Sequence, residues 1–352
     1  MKLAVIGAGS IGSIIIANMA RAGKTVHVVD KVPETIQSIK DNGISICGAR
    51  GEFTVKENLI PISKIEDLPK DIDVVFLITK IDNALDAVNR LRTTLKENFT
   101  LVNFTNGMIE EKIAEILPPE NILGCVISFN AMWRGYGKSE RTNEGEIVLG
   151  RLKGKKREFD EEILQLISHS AKTSWSDDII ANKFSKLLIN ITMASTGAFS
   201  GLAVGELLKR KAVRIAFLIN TTEGIKIAHK IGLKLPKLNN LRFESLALLK
   251  KQRKILPFGL WLKMFIIQII GKQNKNLRSA NLGFYERGLP TEIPYMNGYI
   301  VELGKKHGIQ TPLNEFIANL VQKIDDGKSK PSLENLKLFE EKTMEIFNQY
   351  YC

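Results

Sequence analysis

The sequence is short of the residues that build disulfides, metal sites and membrane spans. Its three cysteines, Cys47, Cys125 and Cys352, lie far apart and form no CxxC pair, and its four histidines are scattered singly. Reduced thiols in a cytoplasmic protein are therefore expected, and no metal site is expected. Because no run of about 20 uninterrupted apolar residues occurs, no transmembrane segment is expected either.

Acidic residues are outnumbered, with 38 Asp and Glu against 50 Lys and Arg and a formal net charge of +12. A protein this basic can bind nucleic acid, an anionic membrane or an anionic small molecule. Zinc-finger spacing and basic motifs interleaved with aromatic residues are both missing, so no nucleic-acid partner is expected. Hydrophobic residues make up 44% of the 352 residues, which is enough for the cores of two domains.

The amino terminus has the pattern of a dinucleotide-binding βαβ unit. An apolar strand at residues 2–6 is followed by GAGSIG at residues 7–12, a helical pattern ending at Gly23, and a second strand, TVHVVD, at residues 25–30. Glycines interrupt the apolar run and no small-residue cleavage site follows, so this is not expected to be a signal peptide. The complete strand, turn, helix and strand context makes the glycine motif specific.

Each glycine of the motif has a predicted role. Gly7 permits the tight turn, Gly9 lets the backbone approach a pyrophosphate, and Gly12 lets the helix pack closely on the sheet. The free N–H groups at the helix start, with the positive end of its dipole, are expected to bind the phosphates. The predicted cofactor contacts from this turn are Gly7, Ala8, Gly9, Ser10, Ile11 and Gly12.

Further alternation of strands and helices predicts a doubly wound α/β sheet. Apolar strand patterns and helical patterns alternate at residues 73–79, 81–95, 100–107, 108–117 and 122–129. From about residue 176 the strand signals fade and helical patterns dominate. We therefore predict a Rossmann-type dinucleotide-binding domain over residues 1–175 and an all-helical domain over residues 176–352, with the second substrate in a cleft between them.

One lysine in the second half has two competing explanations. Lys186 lies in NKFSKLLINITMASTGAF, residues 183–200, and shares a helical face with Asn190 and Ala194. An ammonium there can stabilise the charge that develops on oxygen when hydride adds to a carbonyl, and can donate the proton. A lysine that snorkels from a buried helix explains the pattern equally well.

Seven motifs spread along the chain occur together in one family. They are GAGSIG at 7–12, ITK at 78–80, TNG at 105–107, KLLIN at 186–190, GEL at 205–207, TEIPYMNG at 291–298 and HGIQTPLN at 307–314. On these motifs the chain resembles the ketopantoate reductase (2-dehydropantoate 2-reductase) family over nearly its whole length. The resemblance implies NAD(P)H-dependent reduction of an anionic 2-oxo acid to a 2-hydroxy acid, such as 2-dehydropantoate to pantoate in pantothenate biosynthesis.

The resemblance also implies roles for individual residues. Lys186 corresponds to the family's proton donor and Asn190 to a substrate-binding asparagine. Asn106 corresponds to an asparagine that contacts both cofactor and substrate. Lys80 and Glu292 correspond to residues at the cofactor.

Three positions depart from the family's pattern. Ala194 stands where a second asparagine is usual, Val204 replaces a polar residue before GEL, and Ala280 replaces a substrate-binding serine. Since a site built to hydrogen-bond hydroxyls discriminates strongly, these losses favour a less hydroxylated substrate. Two other interpretations stay open: a related dehydrogenase acting on an imine or a longer 2-oxo acid, and a catalytically silent dinucleotide-binding sensor or partner-binding protein.

The choice of cofactor is open in the sequence. Asp30 follows the second strand, where a carboxylate can bind the ribose 2′-hydroxyl and favour NAD(H). Lys31 matches a basic residue that the family uses for NADP(H). Both residues are predicted cofactor contacts.

Residues 250–278 form an apolar segment with basic flanks that looks like an insertion. Its apolar part, residues 255–270, is too short to span a bilayer. Ordinary packing on the helical domain is the favoured interpretation, followed by a lid or a dimer contact, and then by an interfacial membrane helix. The hypothesis adopted is a lid over the substrate cleft. A homodimer through the helical domain is a further hypothesis.

Overall fold

The computed structural model describes residues 1–237, 242–248, 257–273 and 275–351. The chain forms two compact units, Met1–Lys183 and Phe184–Cys352. The predicted fold class, a Rossmann-type α/β sheet followed by a helical region, is confirmed. The domain boundary placed at residue 175 stays a prediction.

The first unit contains all the strands of the described chain. They are β1 Leu3–Ile6, β2 Val26–Val29, β3 Ile44–Gly48, β4 Phe53–Val55, β5 Leu59–Ile62, β6 Val74–Leu77, β7 Thr100–Asn103, β8 Ile122–Ile127, β9 Ala131–Gly135, β10 Lys138–Arg141, β11 Glu146–Arg151 and β12 Lys172–Trp175. Eight of them form one sheet in the order β12-β11-β8-β7-β6-β1-β2-β5. Neighbouring strands run parallel except β8 and β11. Every residue of β1 and β6 is buried, which explains their unbroken apolar sequences.

A second, four-stranded sheet has the order β4-β3-β10-β9 and was not predicted from the sequence. Its strands are short and mix polar with apolar residues. Strand β3 pairs with β10, which lies far away in the sequence, so no hairpin signal announces the central pairing.

Five α-helices lie between strands of the first unit. They are α1 Ser10–Arg21, α2 Pro33–Asn42, α3 Ala84–Thr94, α4 Glu110–Ala114 and α5 Glu158–Ser168, with 3₁₀ turns at Ile65–Asp67, Ile81–Asn83 and Pro119–Asn121. Helix α1 follows the glycine turn directly and buries Ile14, Ile15 and Ile16. These side chains join those of β1 and β2 in the core of the unit.

The described part of the second unit is helical. Its helices are α6 Ile179–Ser200, α7 Val204–Lys209, α8 Lys211–Lys230, α9 Pro257–Gln273, α10 Ala280–Glu286, α11 Asn297–His307, α12 Pro312–Asp325 and α13 Leu333–Tyr350, with 3₁₀ turns at Phe243–Leu246 and Ile293–Tyr295. The first turn of α6 belongs to the first unit and the rest to the second. Across the ranges described, no helix combines the length and the apolar character needed to cross a bilayer.

A chain of buried polar side chains joins four of these helices. Ser195 Oγ on α6 donates to Asn297 Oδ1 on α11 at 2.5 Å. Asn297 Nδ2 donates to Asn314 Oδ1 on α12 at 2.8 Å, and Asn314 Nδ2 donates to Glu223 Oε2 on α8 at 2.7 Å. All four side chains are almost completely buried. Because an unsatisfied buried polar group is costly, these bonds favour one arrangement of the four helices.

Glu223 ends this chain as a buried carboxyl group. Burial raises the pKa of Glu223 to about 7, because the charged form is costly to remove from water. The backbone N–H groups of Leu313 and Asn314 donate to it and oppose that rise without cancelling it. Since the pKa of Glu223 in the folded protein lies above the ordinary glutamate value of 4.5, the stability from this group is full below about pH 4.5 and is lost as the pH rises through 7.

We expect Glu223→Gln to remove this pH dependence, because glutamine does not ionise. Between pH 5 and pH 8 the free energy of unfolding of the wild type should fall relative to that of the variant by about 2–3 kcal/mol. Urea unfolding at both pH values measures the difference. Glu302→Gln, at an exposed position on α11, controls for the loss of one carboxyl group. A difference that stays constant with pH would contradict this role of Glu223.

Candidate active site

The GAGSIG turn has the close contacts that the sequence predicts. Gly7 has a φ of +104°, and a Cβ there would lie 2.7 Å from the Ile78 carbonyl oxygen. A Cβ at Gly12 would lie 2.0 Å from the Gly7 carbonyl oxygen. At Gly9, by contrast, a Cβ would meet no described atom within 4 Å. Glycine is thus required by the fold at Gly7 and Gly12, while the backbone at Gly9 is open to an approaching ligand.

Helix α1 starts at this turn, so its first N–H groups have no acceptor within the helix. Gly9 is the N-cap, and its carbonyl accepts the first helical bond from Ser13 N at 2.8 Å. The N–H groups of Ser10 and Ile11 belong to the first turn, where a helix offers them no acceptor. Together with the positive end of the helix dipole they can hold an anionic phosphate.

The Asp30 carboxylate is fixed against the glycine turn. Ala8 N donates to Asp30 Oδ2 at 2.8 Å, and Val32 N donates to Asp30 Oδ1 at 2.9 Å. The side chain of Lys31 is exposed, and its Nζ donates to Asn83 Oδ1 at 3.0 Å. The structure therefore places Asp30, rather than Lys31, at the turn itself.

The other predicted cofactor contacts of this unit follow neighbouring strands. The glycine turn follows β1, Lys80 follows β6 and Asn106 follows β7, and these three strands are adjacent in the sheet. Lys80 forms an ion pair with Asp82 at 3.5 Å, and Asn106 is half-buried in the turn before α4. The carboxyl ends of parallel strands lie at one edge of the sheet, where such folds bind ligands.

A buried ion pair that the sequence analysis missed holds the TNG turn. Lys183 Nζ pairs with Glu110 and also donates to the Thr105 carbonyl oxygen at 3.2 Å. Glu110 Oε1 accepts from Asn103 Nδ2 at 2.8 Å, and Asn103 Oδ1 accepts from Thr105 Oγ1 at 2.9 Å. The paired side chains are 4% and 1% exposed. The backbone just before Asn106 is therefore tied to the first turn of α6.

One feature of the sequence indicates the Lys183–Glu110 ion pair. Lys183 lies three residues before Lys186 in the same apolar run. A buried ammonium is costly without a partner. Lys183 is buried, whereas Lys186 is only half-buried. Nothing local in the sequence identifies Glu110 as the partner, since it resembles an ordinary acid at a helix start.

Lys186 and Asn190 lie on the one stripe of α6 that is not fully buried. From Ala181 to the end of the helix, the half-buried positions are Asn182, Lys186, Ile189, Asn190 and Ala194. Their spacing of three and four residues places them on one face. An ammonium and an amide thus share this stripe with a methyl group.

Three hydrogen bonds connect this stripe with Glu292 inside the second unit. Ser279 Oγ donates to the Ala194 carbonyl oxygen at 2.6 Å, and Asn281 N donates to Ser279 Oγ at 3.2 Å. Glu292 N donates to Asn281 Oδ1 at 2.6 Å, and Glu292 is buried. The structure therefore brings the α6 stripe, the start of α10 and Glu292 into one cluster.

The three positions that depart from the family's pattern differ in exposure. Ala194 is half-buried, Ala280 is exposed, and Val204 is buried with its N–H donating to the Leu277 carbonyl oxygen at 2.9 Å. Among the residues described, no group of three or more His, Cys, Asp or Glu side chains could hold a metal ion.

Comparison with known families assigns both halves of the chain. Ketopantoate reductase PanE/ApbA matches residues 3–154, and Ketopantoate reductase PanE/ApbA C terminal matches residues 178–325. The chain belongs to the ketopantoate reductase family. It is accordingly an NAD(P)-dependent oxidoreductase that acts on CH–OH groups, as the sequence motifs predicted.

Individual relatives of this ketopantoate reductase family member are distant but match over more than nine tenths of its length. The 2-dehydropantoate 2-reductase of Pyrococcus abyssi (strain GE5 / Orsay) is 25% identical over 342 residues, covering 96% of this chain and 100% of the relative. D-mandelate dehydrogenase with NADH and anilino(oxo)acetate has a TM-score of 0.78 at 22% identity, covering 93% of this chain and 99% of that chain. The PanE/ApbA family ketopantoate reductase from Ralstonia eutropha JMP134 has a TM-score of 0.77 at 21% identity, with the same coverage. The two solved structures show a shared fold.

We expect the Lys183–Glu110 pair to couple strongly in this family member. Lys183→Met or Glu110→Gln alone leaves one buried charge unpaired and should lower the free energy of unfolding by about 3–5 kcal/mol. The double variant should lose much less than the sum, because no buried charge remains. Urea unfolding of the four proteins measures the coupling.

The exposed pair Lys172–Glu146 provides the matched control for that cycle. Its atoms are 2.7 Å apart, but its side chains are 77% and 51% exposed. Lys172→Met and Glu146→Gln should therefore couple by no more than about 1 kcal/mol. Additive losses at Lys183 and Glu110 would show that the buried pair does not act as a unit.

Proposed function

We propose that this protein reduces a 2-oxo acid that is less hydroxylated than 2-dehydropantoate, using hydride from a nicotinamide dinucleotide. The observation that carries the proposal is the half-buried stripe of α6, which presents Lys186 and Asn190 beside the methyl group of Ala194. The net charge of +12 favours an anionic substrate.

The roles of the residues follow from the chemistry of the reaction. When bound, a nicotinamide dinucleotide would supply the hydride for the carbonyl carbon, which leaves negative charge on the carbonyl oxygen. Lys186 stabilises this negative charge and donates its proton to give the hydroxyl group. Asn190 holds the substrate by hydrogen bonds, and Asn106 orients cofactor and substrate. Glu292 and Lys80 bind the cofactor.

The proposed preference for a less hydroxylated acid rests on the hydrogen bonds that the nearby serine hydroxyls already make within the protein. Ser195, Ser200 and Ser279 are the serines nearest in the sequence to the lost polar positions. Their hydroxyls already donate to Asn297 and to two backbone carbonyl oxygens. The proton of each hydroxyl is therefore already used, so none of the three donates to a substrate hydroxyl in place of the polar groups that Ala194 and Ala280 lack.

The proposed cofactor is NAD(H) rather than NADP(H). The Asp30 carboxylate lies at the glycine turn, where it can accept from a ribose 2′-hydroxyl and would repel a 2′-phosphate. Lys31 donates instead to Asn83. A cytoplasmic location and a homodimer, both expected from the sequence, stay predictions.

We expect 3,3-dimethyl-2-oxobutanoate, which is 2-dehydropantoate without its hydroxyl group, to be the better substrate of the two. Its kcat/KM should be at least about tenfold higher, in keeping with the loss of hydrogen-bond partners for the hydroxyl. Nicotinamide absorbance measures both rates, and NADH should outperform NADPH with either acid.

Three results would contradict different parts of the proposal. Faster turnover of 2-dehydropantoate would overturn the substrate class, and a preference for NADPH would overturn the role of Asp30. Dinucleotide binding without turnover of any 2-oxo acid would favour a silent dinucleotide-binding protein.

We expect Lys186→Ala to reduce kcat by about 10²–10⁴-fold, which is the usual contribution of a general acid. Binding of the dinucleotide, measured by fluorescence titration, should change little, because the glycine turn is intact. Lys186→Arg keeps the charge but is a poor proton donor and should also be slow. Lys230→Ala, at an exposed position on α8, is the control. An unchanged kcat in a folded Lys186→Ala variant would reject the assignment.

A further inference from the structure

Helix α9 exposes an apolar face that the proposed reaction does not use. Trp261, Leu262, Phe265 and Ile269 are 53%, 43%, 44% and 39% exposed, and their spacing places them on one side of the helix. The rings of Trp261 and Phe265 stack with centroids 5.3 Å apart and planes 9° apart. These four side chains are called the α9 face. A helix on the surface of a globular protein normally turns such a face inward.

The opposite side of α9 already supplies its packing. Ile267 is completely buried, and a Cβ at Gly271 would lie 2.6 Å from Leu208 Cβ on α7. Lys263 Nζ, on α9, donates to the Ala247 carbonyl oxygen at 2.7 Å. Packing on the second unit therefore fixes the helix, as the sequence analysis favoured, and still leaves the α9 face in solvent.

The chain around α9 carries charge of one sign. Residues 245–285 contain no acidic residue and eight basic ones, namely Lys250, Lys251, Arg253, Lys254, Lys263, Lys272, Lys275 and Arg278. The four before α9 lie outside the described residues. Lys272, Lys275 and Arg278, which follow the α9 face, are exposed, and Arg278 pairs with Glu286 at 2.6 Å. A surface of negative charge would therefore be attracted to the end of α9 that Lys272 and Lys275 flank.

This charge distinguishes between the two macromolecular partners that an apolar face can have. A symmetric contact with a second copy would set the same basic segment against itself, because a two-fold interface pairs a patch with its own equivalent. Like charges placed together in this way oppose association. The surface of a bilayer with anionic lipids attracts the basic residues instead.

The composition of the α9 face fits the interface of a bilayer. Tryptophan is enriched at the level of the lipid headgroups, and an apolar helix flanked by lysine and arginine can lie in that plane. Helix α9 has 17 residues, and none of the described helices is long and apolar enough to span a membrane. A helix that lies on the membrane surface is compatible with both facts.

We propose that the α9 face docks this protein on the surface of a bilayer that contains anionic lipids. The aromatic and aliphatic side chains of the face enter the headgroup region, and Lys272 and Lys275, which follow the face, pair with lipid charges. The rest of the second unit stays in water.

Co-sedimentation with vesicles tests the proposal on the full chain. The protein should sediment with phosphatidylcholine vesicles that contain phosphatidylserine and stay in solution with phosphatidylcholine alone. Trp261→Ala/Phe265→Ala should weaken binding at least about tenfold, because two interfacial anchors are lost. Trp133→Ala/Tyr136→Ala removes another exposed aromatic pair, in the first unit, and should leave binding unchanged.

Two further measurements test the contribution of the basic residues and the insertion of Trp261 into the bilayer. Lys272→Glu/Lys275→Glu should weaken binding, and added salt should do the same. A variant with Trp133→Phe and Trp175→Phe keeps Trp261 as its single tryptophan. Its fluorescence should shift to shorter wavelength on addition of anionic vesicles only.

Three results would overturn the proposal. The first is no binding to anionic vesicles at low salt, and the second is equal binding by the Trp261→Ala/Phe265→Ala variant. The third is a dimer in analytical ultracentrifugation that this variant abolishes, without vesicle binding, which would assign the face to a second copy. A higher KM for the 2-oxo acid in the variant, again without vesicle binding, would support the lid hypothesis instead.

Discussion

The cost of leaving a charged group unpaired inside a protein organises the helix that carries the candidate acid. Lys183 on α6 is buried and meets that cost through Glu110 and the Thr105 carbonyl oxygen. This contact fixes the turn that carries Asn106. Three residues later, Lys186 is only half-buried and shares its stripe with Asn190. The two lysines of this apolar run thus differ in environment: Lys183 holds the backbone of the TNG turn, and Lys186 is the residue proposed above as the proton donor.

The second unit follows the same rule with a chain of buried polar side chains. Its buried chain from Glu223 through Asn314 and Asn297 ends at Ser195, the residue next to Ala194. The serines around the stripe are thereby committed to the protein's own amides and carbonyls. Since these serines do not donate in place of the polar groups that Ala194 and Ala280 lack, they support the proposal of a less hydroxylated substrate.

Positive charge favours both proposed partners of the protein, the anionic 2-oxo acid and the anionic membrane surface. An excess of basic residues favours an anionic 2-oxo acid, and the eight basic residues around α9 favour an anionic surface. The two effects are separate in the chain, because the α9 face lies outside the cluster formed by the α6 stripe, α10 and Glu292. An enzyme of this kind can therefore be held at a bilayer without using the residues proposed for its reaction.

Local patterns were enough to predict the glycine turn, the buried strands β1 and β6, and the face shared by Lys186 and Asn190, because each depends on residues close together in the chain. The second sheet escaped prediction because β3 pairs with a strand far away in the sequence. Long-range contacts also placed Glu110 against Lys183 and Asp30 against Ala8 N.

The sequence showed an apolar segment with basic flanks, but its outward face became visible only once the opposite side of α9 was seen to pack on α7. Spacing along a chain defines which residues share a strand or a helix face, whereas folding brings distant segments together and so selects the partners of buried charges and the side chains left in solvent.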